Sequence, residues 1–241
     1  MLLRSVAGAG LAIHALPALA PIAPPVARGL AIDTRLATQP GVALTFDDGP
    51  HPQGTVAVLE ALAEFPVLAT FFLAGEQVER YPALAAEIVA AGHEVALHCH
   101  RHRNQLRLTP RQIAEDMRRG ESAIVEACGR IPRLYRPPYG IFSAVGLALA
   151  RRRYALLLWT RWGRDWQARA TPESIARKAT DGVRPGDVIL LHDADHYSAP
   201  GCWRKTSAAL PHILQELAGE GRLAVATRRG GGAHRPMMRT A

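Results

Sequence analysis

Two carboxylates, Asp47 and Asp48, stand side by side directly after the apolar run from Val42 to Phe46. Behind a buried strand they repel one another, so a cation or an arginine is expected beside them. The Gly49-Pro50 that follows also makes this a strong turn sequence, and alone the pair reads equally as a turn. His98 and His102 are four apart, the spacing that puts two imidazoles on one face of a helical turn, as paired metal ligands require. His100, between them, should point elsewhere, toward substrate or solvent. His192 follows Val188 to Leu191 and has Asp193 beside it, a setting that suits proton transfer. Arg136-Pro137-Pro138-Tyr139-Gly140 is stiffened by two prolines. It is either a rigid loop held by stacking or a way of aiming Arg136 at a buried carboxylate. Asp165-Trp166 is either a loop carboxylate beside a packed indole or part of the same centre.

Strand and helix signals alternate from Gly41 onward. Strands are expected over Val42 to Phe46, Val67 to Leu73, Glu94 to Leu97, Leu134 to Arg136, Tyr154 to Trp159, Asp187 to Leu191 and Leu223 to Ala226. Helices are expected over Thr55 to Phe65, Pro82 to Ala91, from Thr109 to about Cys128, over Ser143 to Arg152, from Thr171, and over Trp203 to Gly219. Thr109-Pro110 with Gln112 is a capping box with proline at the first helical position. Near-continuous apolar strands joined by helices imply a parallel sheet buried on both faces. About seven such units favour a closed or nearly closed barrel, with a doubly wound open sheet as the alternative. No glycine-rich phosphate-binding pattern follows the first strand. The ionisable residues named above fall at strand ends, and in a β/α barrel the loops after the strands share one mouth.

The chain has 241 residues, 48% of them apolar, which suits one large domain with a real core. Its three cysteines, Cys99, Cys128 and Cys202, form neither a disulfide framework nor a C-x-x-C zinc pattern. A net charge of +8, nearly all from arginine, points either to an anionic partner such as a cell-wall polymer or membrane surface, or to solvated helix faces. No basic stretch is interleaved with aromatics, so no nucleic-acid partner is expected. Residues 1–40 form an N-terminal segment that reads as an export signal, a membrane anchor or a first helix packed on the barrel; Ala18-Leu19-Ala20 resembles a cleavage site. The Arg/Gly-rich tail over 228–241 reads as disordered.

Five segments, in order, resemble the motifs of the polysaccharide deacetylases, the NodB-homology domain of carbohydrate esterase family 4. They are Thr45-Phe46-Asp47-Asp48-Gly49-Pro50, His98-x-x-x-His102, Arg136-Pro137-Pro138-Tyr139-Gly140, Asp165-Trp166 and Leu190-Leu191-His192. The resemblance implies a distorted (β/α)7-type barrel in a single NodB-homology domain over residues 41–227. It implies a hydrolase that removes acetyl groups from an N-acetylated or O-acetylated carbohydrate, acting on a carbon–nitrogen bond other than a peptide bond. Asp48, His98 and His102 would hold one divalent metal, zinc first and cobalt or another divalent ion second. Asp47 would be the general base, paired with Arg136, and His192 the general acid, oriented by Asp165. The Tyr139 N–H would bind the oxyanion, and Trp166, Leu190 and Pro138 would line the substrate pocket with Tyr139. One departure stands out: Cys99 follows His98 where the family has Ser or Thr. A weak S–H donor there would steady the motif loop less well, and a thiol so placed is itself a candidate ligand or oxidation target. The runner-up activity keeps this site and changes the substrate to a small, non-polymeric amide or formyl compound. A binding protein with a decayed site is the reading from another class.

Overall fold

The computed structural model describes residues 12–36 and 41–221. Seven strands form one sheet: β1 (Ala43–Asp47), β2 (Thr70–Ala74), β3 (Glu94–Cys99), β4 (Leu134–Tyr135), β5 (Ala155–Leu156), β6 (Arg161–Trp162) and β7 (Val188–His192). Every pairing is parallel, in the order β5-β4-β3-β2-β1-β7-β6, and the sheet curls into a distorted half-barrel. β1 and β2 are buried along their whole length and β7 along all but its last residue, as expected for strands covered on both faces. The connections carry helices α1 (Pro24–Gly29), α2 (Gly54–Ala63), α3 (Gly75–Arg80), α4 (Pro82–Ala90), α5 (Pro110–Cys128), α6 (Ala144–Ala150), α7 (Pro172–Thr180) and α8 (Cys202–Gly219).

The N-terminal segment covers the β5 edge and ties it to the residues just before β7. At the β5 edge, Asp33 donates its N–H to Leu156 O (3.2 Å) and accepts from Leu158 N–H (2.8 Å). Beside the start of β7, Leu36 N–H donates to Gly186 O (2.8 Å) and Arg35 pairs with Asp187 at 2.5 Å. Upstream, Ala20, Ala27 and Ile32 are buried in the core, so this part of the segment packs on the barrel. Among the described residues, no helix is long and apolar enough to cross a membrane.

Two helix starts follow directly from sequence. The Thr109–Gln112 capping box forms in α5, satisfying backbone N–H groups that the first turn leaves open. Thr171 and Ser174 do the same for α7. α5 lies very close to β3: a Cβ on Gly120 would sit 2.8 Å from Cys99 O and 2.7 Å from a Leu97 methyl. That close approach fixes the strand that carries His98.

One expectation needs correction, and two elements were not foreseen. The seventh strand of the described sheet is β6, only two residues long, and it enters beside β7. The strand expected over Leu223 to Ala226, like the tail over 228–241, lies outside the described residues. Helix α3 was not foreseen, because Gly75 opens it and it spans only six residues. His100 faces neither substrate nor solvent: it is buried, and its Nε2 lies 3.0 Å from Glu79 Oε1.

Candidate active site

The first three motif segments converge at the C-terminal ends of β1, β3 and β4. Asp47 closes β1, and Asp48 follows it with φ 83°, a left-handed conformation that aspartate tolerates better than most residues. Successive strand residues point to opposite sides, so this turn lets two neighbouring carboxylates take separate roles.

Asp47 is held by Arg136, whose Nη1 donates to Asp47 Oδ1 at 2.6 Å. Arg136 is fully buried and spends its remaining donors on Thr45 Oγ1 (3.0 Å), Leu157 O (2.9 Å) and Leu158 O (3.1 Å). Its guanidinium carbon lies 4.0 Å from the centre of the Phe72 ring. Thr45 is fixed in turn by donating to Ile189 O at 2.7 Å. Each charge of the pair is thereby compensated, the condition under which a buried ion pair is tolerated.

Asp48 Oδ1 lies 3.3 Å from His98 Nε2 and 3.4 Å from His102 Nε2. His98 Nδ1 sits 2.8 Å from Arg136 O, and a carbonyl only accepts, so the ring proton is on Nδ1. In the neutral ring Nε2 is then a bare lone pair facing Asp48 Oδ1, itself buried without a hydrogen-bond partner. Two acceptors converging in this way need a cation between them. Burial, opposed in part by Asp48, holds His102 down to about 4, so its ring is neutral at physiological pH. Burial alone would raise the Asp48 carboxyl, but the surrounding imidazoles His98, His102 and His192, which carry charge once acid is added, hold it well below the usual carboxylate range. A carboxylate and two imidazoles, with their donor atoms within 4.8 Å of one another, fit one divalent metal. Cys99 is outside this set; burial and nearby carboxylates push its thiol up, which makes it a poor ligand.

His192 ends β7 and is the register neighbour of Asp47 in β1. Asp165, in the loop after β6, places Oδ1 2.9 Å from His192 Nδ1 and accepts the His192 backbone N–H on Oδ2 at 2.6 Å. Thr206 of α8 donates to the same Oδ2 at 2.8 Å. Burial opposes charge on His192, but the Asp165 carboxylate outweighs it, Asp48 and Asp47 add to it, and the imidazole is pushed up to about 10. Trp166 stands edge-on to this ring, with centroids 5.6 Å apart. Pro138 is buried in the loop after β4, while Tyr139, with φ 61°, is 55% exposed and sets its ring edge-on to His102 at 4.5 Å. Leu190 lies two residues before His192, on the same side of β7; it is nearly buried and also belongs to the core.

Sequence reasoning missed the groups that hold the others. Thr45 and Thr206 are anchors whose partners lie 91 and 41 residues away, beyond any local signal. Tyr197 stacks on His102 with centroids 4.3 Å apart and an interplanar angle of 9°. The density of polar and aromatic residues from Asp193 to Tyr197 was the only sign of it, and it fits a plain surface loop equally well. A second cluster, His51, Asp195 and His196, also brings possible ligand atoms within 4.8 Å of each other. His51 Nδ1, however, accepts the N–H groups of Gln53 (3.2 Å) and Gly54 (2.8 Å). Its proton is therefore on Nε2, directed at Asp195 Oδ1 3.2 Å away, and that nitrogen donates instead of ligating. This cluster ties the β7–α8 loop to the start of α2.

A parallel half-barrel with an Asp-His-His cluster, an Arg-held carboxylate and an Asp-held imidazole at one mouth defines a class of metal-dependent hydrolase. The polysaccharide deacetylase family model matches residues 35–153. The chain is 40% identical over 154 residues to a chitooligosaccharide deacetylase of Bradyrhizobium sp. (strain ANU 289), covering 63% of this chain and 70% of that protein. It is 34% identical to a peptidoglycan-N-acetylglucosamine deacetylase of Bacillus cereus, covering 75% and 83%. Among solved structures, the family 4 carbohydrate esterase from Streptomyces lividans, in complex with acetate, superposes with a TM-score of 0.69 at 33% identity, covering 78% of this chain and 93% of that one. The chain belongs to the polysaccharide deacetylase family.

Proposed function

We propose that this carbohydrate deacetylase hydrolyses the acetamide of an N-acetylated sugar in an oligosaccharide or peptidoglycan, with Asp47 as general base and His192 as general acid. The observation that carries this reading is the register pairing of Asp47 with His192 across β1 and β7, each held by its own buried partner, beside the Asp48–His98–His102 cluster. Asp48, His98 and His102 would hold the metal, zinc by the mix of imidazole and carboxylate donors. When bound, the ion would polarise the acetyl carbonyl and lower the pKa of a water.

The remaining work falls to side chains. Asp47 accepts the proton of the attacking water; Arg136 fixes it in place, and because Asp47 is no ligand its lone pairs stay available. The Tyr139 N–H donates to the oxygen on which negative charge develops. An amine leaves an amide only when protonated, and His192 supplies that proton from Nε2, because Nδ1 is committed to Asp165. Trp166, Pro138 and Leu190 close the space around the acetyl methyl. The relatives named above act on chitooligosaccharide and on peptidoglycan N-acetylglucosamine, which supports a polymeric N-acetylglucosamine substrate for this chain.

The test is acetate release from N-acetylglucosamine oligomers by protein loaded with zinc or cobalt. Asp47→Asn should lower kcat by at least about 100-fold with KM little changed. Turnover that survives this substitution removes Asp47 as the base.

The N-terminal segment supports an association with an anionic lipid surface. Ile13 (67% exposed), Leu16, Leu19 and Ile22 (70%) form a row of exposed apolar side chains three residues apart. No acidic residue occurs before Asp33 in a chain of net charge +8. Sedimentation with vesicles rich in phosphatidylglycerol should retain the protein, and serine at all four positions should release it.

A further inference from the structure

The two histidines of the candidate metal cluster are held in different ways. His98 is oriented by a hydrogen bond from Nδ1 to a main-chain carbonyl, the usual means of fixing a ligand ring. His102 lacks that support: its Nδ1 is buried without a hydrogen-bond partner. What contacts the ring instead is aromatic. Tyr197 lies flat against one face, 4.3 Å away and nearly parallel, and Tyr139 meets it edge-on at 4.5 Å.

Tyr197 is itself clamped. Its hydroxyl donates to Glu76 Oε1 at 2.6 Å and accepts from Gln77 Nε2 at 3.0 Å. Both residues open α3, and Gln77 is buried. The loop carrying Tyr197 is fastened on either side by Asp195, which accepts Gly201 N–H at 2.6 Å and faces His51, and by Ala199 N–H donating to Trp166 O at 3.2 Å. The phenol therefore presents a fixed plane to an imidazole whose Nδ1 has no hydrogen-bond partner.

We propose that Tyr197 is a positioning residue for His102, setting the ring plane of this metal ligand by stacking where a hydrogen bond is missing. The inference rests on Asp48, His98 and His102 being the metal site. Stacking can set a ring plane because face-to-face offset rings have a preferred spacing and tilt, and the His102 side chain is only 6% exposed. Losing the support of a metal ligand of this kind costs about 10–100-fold in affinity.

The test measures zinc affinity by competition with a chromophoric chelator, together with the visible absorption of the cobalt-loaded protein. Wild type, Tyr197→Phe, Tyr197→Leu and His102→Ala are compared, after each metal-free variant has been shown to unfold at the wild-type midpoint. Tyr197→Leu should lose about ten-fold in zinc affinity, with a changed cobalt band shape. Tyr197→Phe keeps the stacked ring and should recover most of the loss. His102→Ala should lose stoichiometric binding. If Tyr197→Leu binds zinc as wild type does while His102→Ala does not, the metal site stands and the role of Tyr197 is overturned. If His102→Ala binds as wild type does, the site reading itself fails and the proposal with it.

Discussion

Asp165 holds His192 at two points, one oxygen on the ring Nδ1 and the other on the backbone N–H, while Thr206 pins that second oxygen. The fold therefore binds the protonated imidazole more strongly than the unfolded chain does. Because the folded pKa is raised, to about 10, this contribution to stability is complete below about 6.5 and is lost as pH rises toward 10. The same shift keeps the proposed acid charged at neutral pH. Asp165→Asn keeps a polar group in place and removes the charge, so the alkaline limb of kcat/KM should move down by at least about one pH unit. A limb that stays where it is in the wild type would show that Asp165 only places the ring. The pair was visible in sequence as two isolated residues at strand ends; Thr206 was not, because a threonine inside an amphipathic helix gives no sign of the carboxylate it will meet.

Long apolar strands and capped helices declare themselves locally, and here β1, β2, β3, β7, α5 and α7 lie close to where their patterns put them. α8 also runs through Pro211, within the span Trp203 to Gly219 expected to be helical. The elements that stayed hidden are those held by tertiary contacts alone. β6 has two residues and exists because β7 is there to pair with it. α3 starts at Gly75, where a Cβ would come within 2.7 Å of Gly120 Cα, so two glycines distant in sequence let α3 and α5 meet. Gly120 also lets α5 press on β3. Gly120→Ala should cost about 1–3 kcal/mol in denaturant unfolding, because Cys99 O is main chain and cannot swing aside. It should also lower turnover, since the strand displaced carries His98; unchanged turnover together with that loss of stability would show that β3 yields away from the site.

At the scale of the whole molecule, buried histidines set the response of the metal-free protein to acid. His51, His93 and His102 all have pKa values lowered, chiefly by burial. The unfolded chain takes up these protons near 6.5 and the folded one resists, so stability present above 6.5 is lost as pH falls below it, for His102 down to about 4. Asp193, pushed up to about 7 by burial, works the other way, since the folded state takes up its proton first. Asp193→Asn removes that opposing contribution, and the urea midpoint of this metal-free variant should fall steadily between about pH 6.5 and 4. A flat profile over that range would contradict the balance. Zinc should raise the midpoint at about pH 7 and progressively less toward about pH 5, as protons compete for the imidazoles.

The tie between the β5 edge and the start of β7 also has a consequence in time. Arg35 meets Asp187, 152 residues later, and Asp33 pairs beside Leu157. On a ribosome these first residues emerge long before their partners exist. The early strands must wait with an open border and an apolar leading segment, until synthesis has passed Gly186. Closure of the half-barrel is thus a late event in the making of the chain, and the interval before it is when a chaperone or a lipid surface has most to offer.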